Sequence, residues 1–590
     1  MNRTGFIKQL DPLCFPLIAV LLCFVRWGFV ANGYDFGWDF ETGYRVSHGG
    51  VYGKDFYTAL GPLAYELIGF IFKIFGAHWV FIYLIYYTCW MFSLLGVYFL
   101  LRNFSEKKTD LAFVMIIVAP LSIPHLLALH AYNFLSYSLA IWCGVFVFDY
   151  LNKGKFWRII IASGFAALSL FAKQNLGLGS VLLAIALIMM NYFTVNKKCF
   201  AKTVGAVLAF CFGFMLVSGS LFYIFSREIG ATELYHLMFT DAASAKGSFF
   251  NMIKTAFPRI SFGTSIENKT RWFLQHFAEL LCYAVIVGIN FFLYRKFLRA
   301  NKTGENNTRN ENNNLDLIRI LGLLCLTLVI PLLNPKIAFK WREWFYWIDT
   351  NYRLVTPMLV FLYLFVLVNL FFCFYCSFKK SHYFWGEQKM KILLSLYAIG
   401  LTFVVCASRF QYIFLNAPLI VGIFLVSILN IGLFSKRQLY ILCASLLMGG
   451  YLFYPTHALG PMTRMEGAGL RGLFFSKAEL GAVEIYTTKL KPYVINKRTL
   501  WLSMGGPHSL TGAIPVRNVS NLYFDQFNSR IEESLVRDWM AHPPEMIVRF
   551  WYALPENSVW LKSEEFENWI RKNYVQVDEI EGRKVLKYLF

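Results

Sequence analysis

The sequence predicts a polytopic α-helical membrane protein with a small, outward-facing α/β domain at its C-terminal end. Three observations predict it. The first is composition. The 590 residues are 57% hydrophobic, 18% aromatic and only 15% charged, with a mean hydropathy of +0.49. A soluble chain of this length carries roughly 25% charged residues. The second is pattern. The apolar residues lie in long runs rather than short alternating segments, which argues against a transmembrane barrel. Helices satisfy every backbone polar group within lipid, so the runs read as helices. The third is a change of composition near residue 455, after which charged and polar residues return.

At roughly 20 residues per crossing there are about 13 transmembrane helices. Their spans are 13–31, 79–101, 111–129, 134–151, 157–172, 177–194, 203–226, 274–294, 317–333, 354–377, 391–407, 413–434 and 439–455. The first run lacks a small-residue cleavage signature and reads as a retained helix, not a removed signal peptide. Alternating sides puts RNFSEKK, NKGKFWR, NKKCFAK, KKSHYFWGEQKMK and SKRQ together with the N-terminal MNRTGFIKQ. All are basic, which places the N-terminus in the cytoplasm and the C-terminus outside. The same loops account for the net charge of +21 without a nucleic-acid partner. The 12 cysteines fall mostly in apolar runs and form no paired CxxC motif, so neither a disulfide framework nor a zinc site is expected.

This topology divides the chain into a membrane domain, 1–455, with outward loops 32–78 and 227–273, and a soluble domain, 456–590. The cytoplasmic stretch NKTGENNTRNENNN is an Asn-rich, low-complexity loop. Within the soluble domain, YVINKRTLWLSM, EMIVRFWYA and KVLKYLF read as strands. SRIEESLVRDWMA and SEEFENWIRKNY read as amphipathic helices.

The candidate chemistry gathers on the outward side. In loop 32–78, NGYDFGWDFETGYRVSHGGVYGKDF carries Asp35, Asp39, Glu41 and Asp55. Gly33, Gly37 and Gly43 argue against a long regular helix before Tyr44. Acids beside a bilayer suit a general base or oxygen ligands for a hard cation; the bland alternative is a set of solvated loop acids. Lys173, in SLFAKQNLGLGS, lies where one apolar run ends and the next begins, with Gln174 and Asn175 beside it. Such donors suit a phosphate head group; the alternative for the lysine is snorkelling. Arg353 and Arg409 enter apolar runs from outside and can bind phosphate or anchor the interface. His125, His130 and Asn133 line another short outward turn. There is no GxxxxGK[ST], HExxH or GxSxG motif, and acids inside the apolar runs are scarce. These absences argue against an ATP-driven engine, two familiar hydrolase designs and an ion-coupled transporter.

YDF followed by HGGVYGKDFYTALGPLAYELIGFIFKIFG resembles the first outward loop of the GT-C membrane glycosyltransferases, which include protein mannosyltransferases, lipid A aminoarabinose transferases and cell-envelope sugar transferases. The matching positions are Asp35, Gly50, Tyr52, Asp55, Phe56, Gly61-Pro62 and Phe75-Gly76. AKQNLG and NYRLVTPML resemble later family segments. Many members have adjacent Asp-Glu where this chain has Asp35-Phe36, with acids recurring at Asp39 and Glu41.

The resemblance implies a GT-C-like fold and inverting sugar transfer on the outer side of a bacterial inner membrane. The donor would be a sugar on polyprenyl phosphate; the acceptor would be a cell-envelope glycan, glycolipid or protein. Asp35 would be the base, with Asp39 and Asp55 assisting it. Lys173, Arg409 and Arg353 would bind the donor phosphate. Gln174, Asn175, His130, Asn133, Tyr52 and Glu41 would contact substrate. A divalent metal held by Asp35, Asp39 and Asp55 remains open on sequence. The competing readings are an O-antigen ligase-like transferase using a diphosphate-linked donor and a flippase without chemistry. The acid-rich first loop disfavours the former, and the gathering of polar groups at outward boundaries disfavours the latter.

Overall fold

The computed structural model describes residues 33–58, 60–102, 111, 114–115, 118, 131–195, 200–241, 383–406, 415–431, 462–464, 470, 474–502, 507–519, 529–550 and 560–589. The expected spans 13–31, 274–294, 317–333, 354–377 and 439–455 lie outside the described residues, as do His125, His130, Arg353, Arg409 and the Asn-rich loop.

The first described element is helix α1 (Gly33–Ser47). A turn and a short strand β1 (Phe56–Tyr57) lead to α2 (Leu63–Phe75). Helices α3 (Trp79–Arg102), α4 (Ala131–Lys153), α5 (Trp157–Ala172), α6 (Gln174–Val195) and α7 (Phe200–Ser226) follow. After α8 (Ala231–Tyr235) a π-helical turn runs to Asp241. Helices α9 (Tyr383–Cys406) and α10 (Ala417–Ile431) complete the described apolar helices. Four are long and apolar enough to cross a membrane: α3, α4, α6 over Gln174–Tyr192, and α7.

Helix α1 departs from expectation, because the glycines do not break it. A Cβ on Gly43 would overlap Ile68, and one on Gly69 would overlap Val46. The bare backbones therefore let α1 and α2 cross closely, and the packing outweighs the roughly 1 kcal/mol propensity cost of each glycine. Helix α2 buries Tyr65, Ile68 and Phe72 while leaving Phe70, Ile74 and Phe75 exposed. That second apolar face suits the membrane interface.

The membrane core packs α3, α4, α5, α6, α9 and α10 through residues such as Leu94, Val97, Ile141, Val147, Leu401 and Leu419. Where hydrocarbon gives little reason for helices to associate, polar contacts help. Tyr137 donates to Asn416 Oδ1 at 3.0 Å; the Asn416 amide donates to Ala398 O and Thr402 Oγ1, each at 2.8 Å. This one asparagine joins α4, α9 and α10.

In the tail, strands β2 (Met462–Arg464) and β3 (Phe474–Ser476) form an antiparallel pair. Helix α11 (Lys477–Glu484), a π turn and α12 (Lys491–Val494) follow. Strand β4 (Arg498–Leu502), α13 (His508–Thr511), β5 (Ile514–Pro515) and β6 (Asn518–Val519) come next. The chain continues with α14 (Ser529–Ala541), β7 (Met546–Phe550), α15 (Glu564–Asn573), β8 (Tyr574–Ile580) and β9 (Arg583–Tyr588). Five strands form a mixed sheet in the order β5-β4-β7-β9-β8, with β4 parallel to both β5 and β7. Helix α15 starts where Ser563 Oγ accepts the Phe566 N–H, an N-cap. The expected strand YVINKRTLWLSM is shorter than anticipated. Its first residues belong to α12, where Pro492 near the helix start suits a helix rather than a ladder.

Candidate functional site

Three of the described site residues meet at the start of α4. Asp39, fully buried on α1, accepts the Tyr86 hydroxyl and the Ala131 N–H through Oδ2, both at 2.6 Å. Ala131 is the first described residue of α4, so the carboxylate ties α1 to the backbone of that helix.

Two residues along, Asn133 Oδ1 accepts the Lys173 ammonium at 2.7 Å. Both side chains are buried, and the ammonium lies 5.6 Å from the Tyr132 ring centroid. Asn133 Nδ2 has no hydrogen-bond partner among the described residues. Three expected site residues, Asp39, Asn133 and Lys173, thus surround one turn.

The local chain explains the position of Lys173. It is the extended residue between α5 and α6, with φ −156° and ψ 116°. Its N–H closes α5 on Ser169 O at 2.8 Å, and its carbonyl accepts Gly177 N–H at 3.1 Å. Ser169 and Ser136 hydroxyls bond at 2.8 Å, tying α5 to α4 and fixing the distance that Lys173 spans. The Gly61-Pro62 motif abuts this joint. A Cβ on Gly61 would overlap the Phe171 carbonyl, so only glycine allows the loop to lie there. Tyr52 supports that loop by donating to Leu60 O at 2.8 Å.

The other expected residues have separate surroundings. Asp55 Oδ2 accepts Val51 N–H at 2.8 Å, while Asp55 O accepts Asn518 N–H at 3.1 Å where β1 meets β6. Asn175 Nδ2 donates to Val404 O at 3.0 Å, binding α6 to α9. Gln174 is buried at the start of α6. Asp35 lies on the first turn of α1; its side chain is outside the described residues.

Glu41 turns to the tail. Its carboxylate accepts Ser509 N–H at 3.2 and 3.3 Å and also the Ser509 hydroxyl. Arg45 Nη2 is 3.5 Å from His508 Nδ1, and that nitrogen is 3.9 Å from Glu41 Oε2. Burial pushes the Glu41 carboxyl up to about 7, although Ser509 and Arg45 favour its ionised form. Burial likewise lowers Arg45 to about 10, against the pull of Glu41 and Asp55. Sequence reading missed Arg45, His508, Ser509 and Tyr86. Only Arg45 had a local signal, an opposite charge one helical turn after Glu41.

Asp39 already binds two donors and Asp55 orders its own turn. Among the described residues, no three His, Cys, Asp or Glu side chains gather to hold a metal ion.

No family model matches the chain, and no curated protein matches it. Among solved structures, it is similar to ArnT from Cupriavidus metallidurans bound to undecaprenyl phosphate, with TM-score 0.42 and 13% identity over 99% of this chain and 98% of that chain. It is similar to the apo form of the same protein with TM-score 0.42 and 12% identity over the same shares of the two chains.

Proposed function

We propose that the protein is an inverting glycosyltransferase of GT-C type, moving a sugar from polyprenyl phosphate to a cell-envelope acceptor on the outer side of a bacterial inner membrane. The observation that best supports this reading is the meeting of Asp39 and Lys173 on one turn of α4, joined to the helix that bears Asp35. A buried ammonium beside the Asn133 amide suits a phosphate bound at a membrane boundary. The first-loop motifs supply the sugar-transfer chemistry.

In the proposed reaction, an acceptor hydroxyl oxygen attacks the anomeric carbon. The bond from that carbon to the phosphate oxygen breaks, and its electron pair leaves with the polyprenyl phosphate. Asp35 takes the hydroxyl proton. The displacement is single, so configuration inverts through an oxocarbenium-like transition state. Lys173, with Arg409 and Arg353, stabilises charge on the departing phosphate. Asp39 and Asp55 hold the loop rather than touching the reacting atoms, and Asn133, Gln174 and Tyr52 shape the donor side.

Transfer of a radiolabelled sugar from a polyprenyl-phosphate donor by the purified protein in detergent tests the proposal. It separates a transferase from a flippase, which leaves the donor intact. Asp35→Asn should abolish transfer in a folded protein; full activity in that variant sinks the base assignment.

A further inference from the structure

Helix α1 is held from two sides. Asp39 faces Tyr86 and the start of α4. Glu41 comes two residues later, about 200° further around the helix, and therefore on nearly the opposite face. There it meets the Ser509 N–H and hydroxyl, with Arg45 and His508 completing the cluster. Arg45 and His508 are buried, and the Glu41 side chain is only 16% exposed. A solvated loop acid would have none of these contacts.

The tail is also fastened nearby, so the cluster is not an isolated touch. Strand β1 pairs in parallel with β6, and Arg517 donates to the Tyr57 hydroxyl. Farther along, Arg530 pairs with Glu233 at 2.8 Å and Asp241 at 2.6 Å. These contacts hold the tail against both expected outward loops. Among the described residues, the Glu41 cluster is the hold that joins the tail to α1 itself.

We propose that Glu41 is a positioning residue: through Ser509 it clamps α1 to the tail and sets the rotation of the helix that carries Asp35. This rests on the assignment of Asp35 as base. By helical spacing, Asp35 lies one turn before Asp39 on the same stripe. A helix pinned along that stripe alone can roll about it. The second hold, on the opposite face, removes the roll. The tail thereby acts as a brace for the reacting loop. Displacing a catalytic group by about 1 Å can cost on the order of 100-fold in rate, so a small roll has a measurable effect.

The test uses the full-length protein in detergent, with hydrogen exchange of residues 33–40 read beside transfer kinetics. Glu41→Ala should speed exchange about tenfold. It should lower kcat by roughly 10- to 100-fold while donor KM changes less than about twofold. Glu41→Gln keeps an oxygen for the Ser509 N–H and should restore both readouts to within about threefold of the original. Should Glu41→Ala fail to fold, Ser509→Ala removes only the hydroxyl and should shift both readouts about threefold. Unchanged exchange in the folded variant overturns the proposal. So does faster exchange with unchanged kcat, because the contact would then stabilise without positioning. Absence of any transfer by the unsubstituted protein instead ends the glycosyltransferase reading, and the exchange comparison still decides whether Glu41 clamps α1.

Discussion

Replacing Asp39 by alanine tests how the first loop is attached to the membrane helices. The carboxylate is fully buried and its Oδ2 accepts two hydrogen bonds of 2.6 Å, from Tyr86 and Ala131. Bonds to a charged group contribute about 1.5–3 kcal/mol each. Asp39→Ala strands both donors, so its expected cost is roughly 3–6 kcal/mol. Tyr86→Phe removes one bond and should cost about half as much. Asp39→Asn can place its amide oxygen at the Oδ2 position and keep both donors, losing mainly the charge assistance. The assay is thermal unfolding of the purified protein in one detergent at fixed pH. The expected order of midpoints is Asp39→Ala lowest, then Tyr86→Phe, then Asp39→Asn nearest the original. Combining Asp39→Ala with Tyr86→Phe should cost less than the sum of the single changes, because they share one bond. An Asp39→Ala midpoint equal to the original, or strictly additive losses, would refute the anchoring role. Transfer by the folded Asp39→Asn variant separately reveals any direct part in chemistry.

Three further outcomes follow from the same geometry. Lys173→Met keeps much of the buried stem but removes the ammonium that Asn133 accepts; it should lower kcat/KM for the donor at least tenfold, and equal kinetics would remove Lys173 from the phosphate site. Gly61→Ala drives a methyl into the Phe171 carbonyl next to Lys173, so it should impair donor use even in protein that purifies normally; unaltered donor kinetics would disprove this link. The Glu41 carboxyl is raised from 4.5 to about 7, so the native state binds its proton more tightly than the unfolded chain does. Its stabilising contribution is complete below about pH 4.5, declines as pH rises through about 7, and changes by about 3 kcal/mol in all. Unfolding midpoints of the original and Glu41→Gln should therefore diverge between pH 5 and 8, with the original losing more. Parallel curves would contradict the raised carboxyl.

Several of the described membrane helices were legible from apolar length alone. The expected spans 134–151, 157–172 and 203–226 correspond to Ala131–Lys153, Trp157–Ala172 and Phe200–Ser226. Helix SRIEESLVRDWMA matches Ser529–Ala541, and its one-sided apolar pattern explains why. Strand β8 was missed because Val575 and Val577 remain substantially exposed and share no inward stripe with a buried run. The helix at Gly33–Ser47 was missed for a different reason: local glycine propensity opposes it, and only its crossing with α2 favours it.

The same division holds at the site. Lys173 was legible because a cation between two apolar runs is costly and local to the sequence. Its partner Asn133 lies 40 positions away, and the pairing depends on α4 and α5 packing through Ser136 and Ser169. The acid cluster was visible as composition, but its four members could not be sorted by spacing. Tertiary structure sorted the three whose side chains are described: Asp39 binds the start of α4, Asp55 orders its turn, and Glu41 reaches Ser509, 468 positions away. The sequence by itself determined where the chain prefers lipid and which charges stand at its borders, because transfer free energy accumulates along a local run. Which partner each charge meets depends on contacts between distant segments, and only the folded chain decided that.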